Sequence, residues 1–264
     1  MLYTNKVIWI TGASSGIGQE LALQFAKEKA TLVLSSRNLS RLNEVKLECE
    51  KRGSVCHVFP LDLTIEKNIN ETAKQVLEKV KKIDLLINNG GISQRSFALE
   101  TPVDVDRKVM ETNFFGAVTL TKSVLPSMVA NGGGHIVAIS SIVGKFGFPL
   151  RSAYSASKHA LHGFFDTIRA ELYSKNIQVT LVIPGRIRTN ISVNAIDKEG
   201  KAYGVMDEGQ SAGMPVNQCV RKIIKGLKKN KKEILVGKSE TLMVHIRKFL
   251  PGLYYKLARK VSPT

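Results

Sequence analysis

Seven short apolar runs recur along the chain, near residues 6–11, 31–36, 55–60, 84–88, 134–140, 177–183 and 233–237, with helical patterns between them. Strands that alternate with helices form a parallel sheet covered on both faces, because each parallel crossover carries the chain back through a helix. The expected fold is an α/β, Rossmann-type doubly wound sheet of mostly seven parallel strands, and 264 residues suit a single domain over 1–264. Ligands bind such sheets outside the carboxyl ends of the strands. Gly12, Asp62, Asn88, Ser141 and Pro184 each follow one of the runs, which places them at that edge and points to one shared site.

The first run, KVIWIT, leads into GASSGIG at 12–18, and a helical pattern starts at once with Leu21, Ala22, Phe25 and Ala26. Strand, glycine turn and helix in succession are the context a dinucleotide needs. Glycines let the backbone turn without a Cβ, and the N–H groups at a helix start face a pyrophosphate. Gly12, Ser14, Ser15, Gly16, Ile17 and Gly18 are the candidate cradle, with Thr11 and Ser14 placed to bond nearby backbone. At the end of the second run, where an acid usually meets a free ribose 2′-hydroxyl, stand Ser36 and Arg37. A hydroxyl and a guanidinium suit a 2′-phosphate, so the expected cofactor is NADP(H).

Ser141, Tyr154 and Lys158 lie in SSIVGKFGFPLRSAYSASK. Tyr154 and Lys158, four residues apart, share one helix face. An ammonium beside a phenol favours the phenolate, and without help a tyrosine near ~10 is a poor proton carrier at neutral pH. Ser141 supplies a second hydroxyl for the same carbonyl oxygen. The three read as a proton-transfer site for interconverting a ketone and an alcohol. A Tyr-x-x-x-Lys pair alone is weak, since chance produces it readily; the glycine turn at the other end supplies the missing hydride source.

Together these residues resemble the short-chain dehydrogenase/reductase family over about residues 5–190. Its nucleotide turn matches Thr11–Gly18, its Asp-Leu pair by the adenine matches Asp62-Leu63, and its Asn-Asn-Ala-Gly segment appears as Asn88-Asn89-Gly90-Gly91, with Gly90 where alanine is usual. Pro184-Gly185-Arg186-Ile187-Arg188-Thr189 matches its Pro-Gly-x-Ile-x-Thr segment. The resemblance implies that Asn113, Ser141, Tyr154 and Lys158 are catalytic, with Asn113 holding a water that links Lys158 to solvent. It implies that Asp62, Leu63, Asn89, Gly90, Pro184, Gly185, Ile187 and Thr189, with Tyr154 and Lys158, contact the cofactor. RSAYSASKHALHGFFDTIRAEL and TNISVNAIDKEGKAYGVMD further resemble the branch holding family members 7 and 7B, which are NADPH-linked, membrane-associated reductases. That branch implies a small-molecule or lipid ketone substrate of the acyl-dihydroxyacetone phosphate kind. Reduction of 3-oxoacyl thioesters or of steroids on the same scaffold, or a non-catalytic NADP(H)-binding adaptor, stay open alternatives. In the family, the helices of 104–130 and 152–174 form dimer interfaces, so the resemblance implies a homo-oligomer; their apolar residues serve equally well as core.

Charge is uneven. Thirteen basic residues against two acids put +11 of the formal +17 within 220–264. Residues 239–264 add Leu242, Met243, Ile246, Phe249, Leu250, Leu253, Tyr254 and Leu257 at helical spacing, broken by Pro251-Gly252. This basic amphipathic segment suits packing beside the pocket, peripheral contact with anionic membrane, or both. Nucleic acid is not an expected partner, because no binding module or aromatic-basic interleaving appears. Residues 190–214 break the alternation and are expected to form a substrate lid, unless they are a plain surface excursion. Arg186 and Arg188 are candidates for an anionic substrate group or the pyrophosphate. Cys49, Cys56 and Cys219 make no disulfide framework, the five histidines make no metal pattern, and no metal is expected. No apolar run approaches a membrane span, and the first strand begins too early for a secretory signal. The expected location is cytoplasmic, with membrane association through the C-terminal segment.

Overall fold

Val7–Thr11 is buried at all five positions, as expected of a strand covered on both faces. It is β1 of a computed structural model that describes residues 2–260. Residue 1 and residues 261–264, the ends of the expected 1–264 domain and 239–264 segment, lie outside the described residues. The chain continues through α1 (Gly16–Ala26), β2 (Thr31–Ser35), α2 (Leu39–Glu50), β3 (Cys56–Val58), α3 (Glu66–Val80) and β4 (Leu85–Asn88). Then come α4 (Val103–Met110), α5 (Gly116–Ala130), β5 (Gly134–Ile139), α6 (Ser152–Glu171) and β6 (Ile177–Pro184). After them lie β7 (Ile187–Arg188), α7 (Glu208–Ser211), β8 (Met214–Pro215), α8 (Val216–Leu227), β9 (Glu233–Val236), α9 (Leu242–Phe249) and α10 (Pro251–Ala258). All seven expected runs are strands of one sheet.

The sheet order is β3-β2-β1-β4-β5-β6-β9, and every pairing is parallel. Alternation along the strands divides the core. Ile8, Ile10, Leu32, Leu34, Val137 and Ile139 face α1, α2 and α8, while Val7, Trp9, Val33, Ile136 and Ala138 face α3, α5 and α6. The period of two in side-chain direction thus builds two apolar layers from one set of strands. Strand order reverses between β1 and β4, which opens a crevice at their carboxyl ends. Register keeps those ends level: Thr11 lies beside Ser35, Asn88 beside Ala138, and Pro184 beside Val236.

Two departures from plain alternation shape the site. Between α4 and α5, Glu111–Phe115 winds as a π-helical turn, a form that collects at functional positions. Between β7 and β8 the 190–213 stretch holds no element longer than the four residues of α7. Its ends are zipped, since Ile187 and Arg188 pair with Met214 and Pro215. The expected helical stretch at 239–260 is two helices, and the break falls at Leu250, just before Pro251.

Candidate active site

A cavity of about 1520 Å³ opens along the carboxyl ends of the strands. Its wall includes Gly12, Ser14, Ser15, Gly16, Ile17, Ser36, Arg37, Asp62, Leu63, Asn89 and Gly90. It also includes Ser141, Tyr154, Lys158, Pro184, Gly185, Ile187 and Thr189. Of the residues singled out in the sequence as catalytic or cofactor-binding, Gly18 and Asn113 stand behind the wall, not on it.

Space at the glycine turn is tight. Gly12 has φ +63°, and a Cβ there would come within 2.8 Å of Gly90 Cα. A Cβ on Gly18 would meet the Gly12 carbonyl oxygen at 2.3 Å, so Gly18 lets α1 start hard against the turn. Asn89 Nδ2 donates to the Thr11 and Gly12 carbonyls at 2.9 and 3.2 Å, and Thr11 Oγ1 accepts from the N–H groups of Asn89 and Gly90, both at 3.0 Å. The ends of β1 and β4 are thereby fixed to each other. Asp62 folds back to accept from the Thr64 N–H and hydroxyl at 2.9 and 2.8 Å. No acid stands at the end of β2; Ser36 is half-buried and Arg37 is exposed at the rim, with no ion pair among the described residues.

On the opposite wall Tyr154, in the first turn of α6, is 8% exposed, with the Ser141 hydroxyl beside its phenol. Lys158 Nζ donates to Ile139 O, the last residue of β5, at 2.9 Å and lies 5.7 Å from the centre of the Tyr154 ring. Burial pulls the Lys158 ammonium down to about 8. Here the structure corrects the sequence expectation for Tyr154. Burial pushes the phenol above its ordinary value; what opposes it is the Ser141 hydrogen bond and the charges of Arg95 and Arg151. Desolvating a phenolate outweighs these influences, and Lys158 sits over the ring, bonded elsewhere.

Asn113 lies in the π turn, 1% exposed. Its Oδ1 accepts from Ile92 N at 2.8 Å, and its Nδ2 donates to Ile92 O and Ser157 Oγ at 2.9 and 3.0 Å. A Cβ on Gly91 would lie 2.9 Å from Asn113 Oδ1 and 3.6 Å from Lys158 Nζ, so the bare glycine keeps open the gap between them. Arg186 and Arg188 both reach the cavity wall. Tyr254 of α10 packs in one apolar cluster with Tyr154, Ile142, Val143 and Phe146, and its hydroxyl donates to Gly147 O at 2.6 Å. The C-terminal helices therefore pack behind the pocket, against residues that line it.

Sequence reasoning missed Gln94, Arg95, Arg151 and Asp207. Gln94 is fully buried, and Arg95 and Arg151 share the Asp207 carboxylate beside Tyr154. In the sequence they are a polar run, SQRS, and isolated charges far downstream, with no spacing to connect them.

Comparison with known proteins gives consistent relatives. The short chain dehydrogenase family matches residues 6–200. Dehydrogenase/reductase SDR family member 7B of Xenopus laevis is 43% identical over 258 residues, covering 95% of this chain and 80% of that protein. The Mus musculus member 7B is 44% identical over 258 residues, covering 96% and 80%. The fold matches a short chain dehydrogenase/reductase from Burkholderia phymatum in complex with NAD at TM-score 0.85 and 21% identity, over 100% of this chain and 98% of that one. It matches an alcohol dehydrogenase from Thermococcus sibiricus complexed with 5-hydroxy-NADP at TM-score 0.76 and 22% identity, over 89% and 97%.

Proposed function

The chain belongs to the short-chain dehydrogenase/reductase family, and from that membership we propose that it is an NADPH-dependent reductase converting a lipophilic ketone to a secondary alcohol. Ser141, Tyr154 and Lys158 line the same cavity as Gly12 and Gly16, and this shared wall is the observation that carries the reading.

The residues fit a dinucleotide. The Gly12 cradle has no room for a side chain, the N–H groups at the start of α1 suit a pyrophosphate, and Ser36 and Arg37 suit a 2′-phosphate. Asp62 and Leu63 would flank the adenine side, and Asn89, Gly90, Pro184, Gly185, Ile187 and Thr189 the nicotinamide side. Bound there, NADPH supplies the hydride. Tyr154 gives its proton to the carbonyl oxygen as negative charge develops there, and Ser141 donates a second hydrogen bond to the same atom. The Arg95 and Arg151 charges favour the phenolate that remains. Lys158, at about 8, stays mostly protonated at neutral pH and keeps a positive charge over the ring. Asn113 and the gap at Gly91 offer the route by which the proton is replaced.

The substrate class proposed is a ketone lipid with an anionic head, such as an acyl-dihydroxyacetone phosphate. Ile142, Val143, Phe148 and Ile196 give the cavity an apolar end, while Arg186 and Arg188 give it charge. The outer side of α9 and α10 supports a setting at a membrane surface. Leu242, Phe249, Leu250, Leu253 and Tyr255 are exposed there, beside Arg247, Lys248, Lys256, Arg259 and Lys260. Among the described residues no helix is long and apolar enough to cross a membrane, so the contact proposed is peripheral.

The experiment is NADPH oxidation across acyl-dihydroxyacetone phosphate, 3-oxoacyl thioesters, steroids and small diketones, with Tyr154→Phe in parallel. Turnover with the first of these, lost in Tyr154→Phe while NADPH binding persists, is the expected result. Full activity in Tyr154→Phe refutes the mechanism, and NADPH binding without oxidation by any carbonyl leaves the adaptor reading.

A further inference from the structure

Arg95, Asp207 and Arg151 form a charge cluster inside the protein. The side chains of Arg95 and Asp207 are 2% and 5% exposed. Arg95 Nε lies 3.3 and 3.0 Å from Asp207 Oδ1 and Oδ2, and its Nη2 lies 2.5 Å from Oδ2. Arg151 Nη2 donates to the same Oδ2 at 3.0 Å. Arg95 Nη1 is held in turn by Ser93 Oγ at 2.7 Å and Gln94 O at 2.6 Å.

The cluster joins three parts of the chain: the stretch after β4, the start of α6, and the 190–214 segment. Backbone bonds strengthen the join, since Arg95 N donates to Ile196 O at 2.8 Å and Ile196 N to Ser93 O at 2.9 Å. The residue between them faces a different task. Gln94 Oε1 accepts from Ala153 N at 2.9 Å and Tyr154 N at 3.4 Å. These are free N–H groups of the first turn of α6, whose N-cap residue, Arg151, supplies no side-chain cap. Residues 93–95 thus hold the 190–214 segment through Ser93 and Arg95, and the first turn of the Tyr154 helix through Gln94. Lifting the segment away would strip the buried Arg95 and the half-buried Arg151 of their shared carboxylate, which low-dielectric surroundings resist strongly.

We propose that Gln94 and Arg95 are positioning residues for the proton donor: residues 93–95 clamp the substrate lid and the start of the Tyr154 helix into one unit, so that the place of the lid over a ketone and the alignment of the phenol are set together. The inference rests on reading Tyr154 as the proton donor. The charge that Arg95 and Arg151 exert on the phenol gives the clamp a second hold on the same group, because Asp207 fixes where both guanidiniums sit.

Asp207→Asn, which keeps size and removes charge, tests the clamp in the full chain. KM for the ketone should rise by about tenfold and kcat should fall, while the Kd for NADPH stays within about twofold. Amides of 190–214 should exchange about tenfold faster, with β1, β4, β5 and β6 keeping their protection. Arg95→Lys keeps the charge and loses the two-pronged geometry, so its values should lie between those of Asp207→Asn and the wild type; it carries the test alone if Asp207→Asn loses its core protection. Wild-type KM and wild-type exchange of 190–214 in both variants would overturn the proposal. Tyr154→Phe in the same assay separates two failures. If it turns over at the wild-type rate, the proton-donor reading has failed; if it is inactive while the other two variants match the wild type, the clamp alone has failed.

Discussion

Lys158→Met is the sharpest probe of how the fold treats its functional charges. The lysine is 5% exposed, and burial lowers its ammonium from the ordinary 10.5 to about 8. Between those two values the unfolded chain binds more protons at this position than the folded one, so wild-type stability rises with pH across the window of about 8 to 10.5. The fall corresponds to about 3 kcal/mol against the charged form. Integrated from pH 7 to pH 10, the wild type should gain roughly 2–3 kcal/mol relative to Lys158→Met, which has no proton to lose there. The sign follows from burial: charge is the penalised state, and raising the pH removes it. Losing the bond to Ile139 O shifts the whole comparison up or down without giving it this slope. Urea denaturation of both proteins without nucleotide at several pH values between 7 and 10 measures the slope directly. A stability difference that stays flat over that range would mean the lysine carries no burial penalty, and the account of its charge over the tyrosine ring would be wrong.

Other substitutions test separate parts of the site. Gly18→Ala puts a Cβ 2.3 Å from the Gly12 carbonyl oxygen, and the backbone shift this forces should cost about 1–3 kcal/mol of stability and weaken NADPH binding in a fluorescence titration. Gly90→Ala meets mainly the mobile end of Leu63, at 2.5 Å; it should be tolerated, and the unfolded-state entropy it removes, about 0.4–1 kcal/mol, should offset much of the crowding in thermal melts. Arg37→Ala should raise the Kd for NADPH by about tenfold or more through loss of charge-assisted bonds while leaving NADH unchanged; equal losses for both would remove the 2′-phosphate role. Phe249→Ser with Leu253→Ser spares Tyr254, which packs against residues of the pocket wall, and should abolish sedimentation with anionic vesicles at unchanged turnover; full sedimentation would end the membrane reading.

Much of the architecture is written locally. A strand buried on both faces is largely apolar, so central strands such as Val7–Thr11 and Leu85–Asn88 announce themselves, and the helices between the runs leave a parallel sheet as the economical solution. Because parallel strands all end on one side, residues that follow them share an edge, and the wall formed by Gly12, Asp62, Ser141 and Pro184 was predictable from position; Asn88, expected with them, is buried away from the cavity and donates to Thr121 Oγ1 instead. The π turn that carries Asn113 was not, since it differs from an ordinary helix by a single hydrogen-bond shift that leaves no mark on the apolar pattern.

What only the tertiary structure decided is the electrostatic setting of that wall. Spacing brought Tyr154 and Lys158 onto one helix face, but how deeply each is buried depends on the packing of α10, the 190–214 segment and the sheet around them, and burial turned the expected fall in the Tyr154 pKa into a rise. Arg95 and Asp207 stand 112 residues apart, and nothing in either neighbourhood marks one as the partner of the other. A periodic pattern reports which way a side chain faces. Which charges share a dry interior depends on how distant segments close over them, and that is a property of the folded chain.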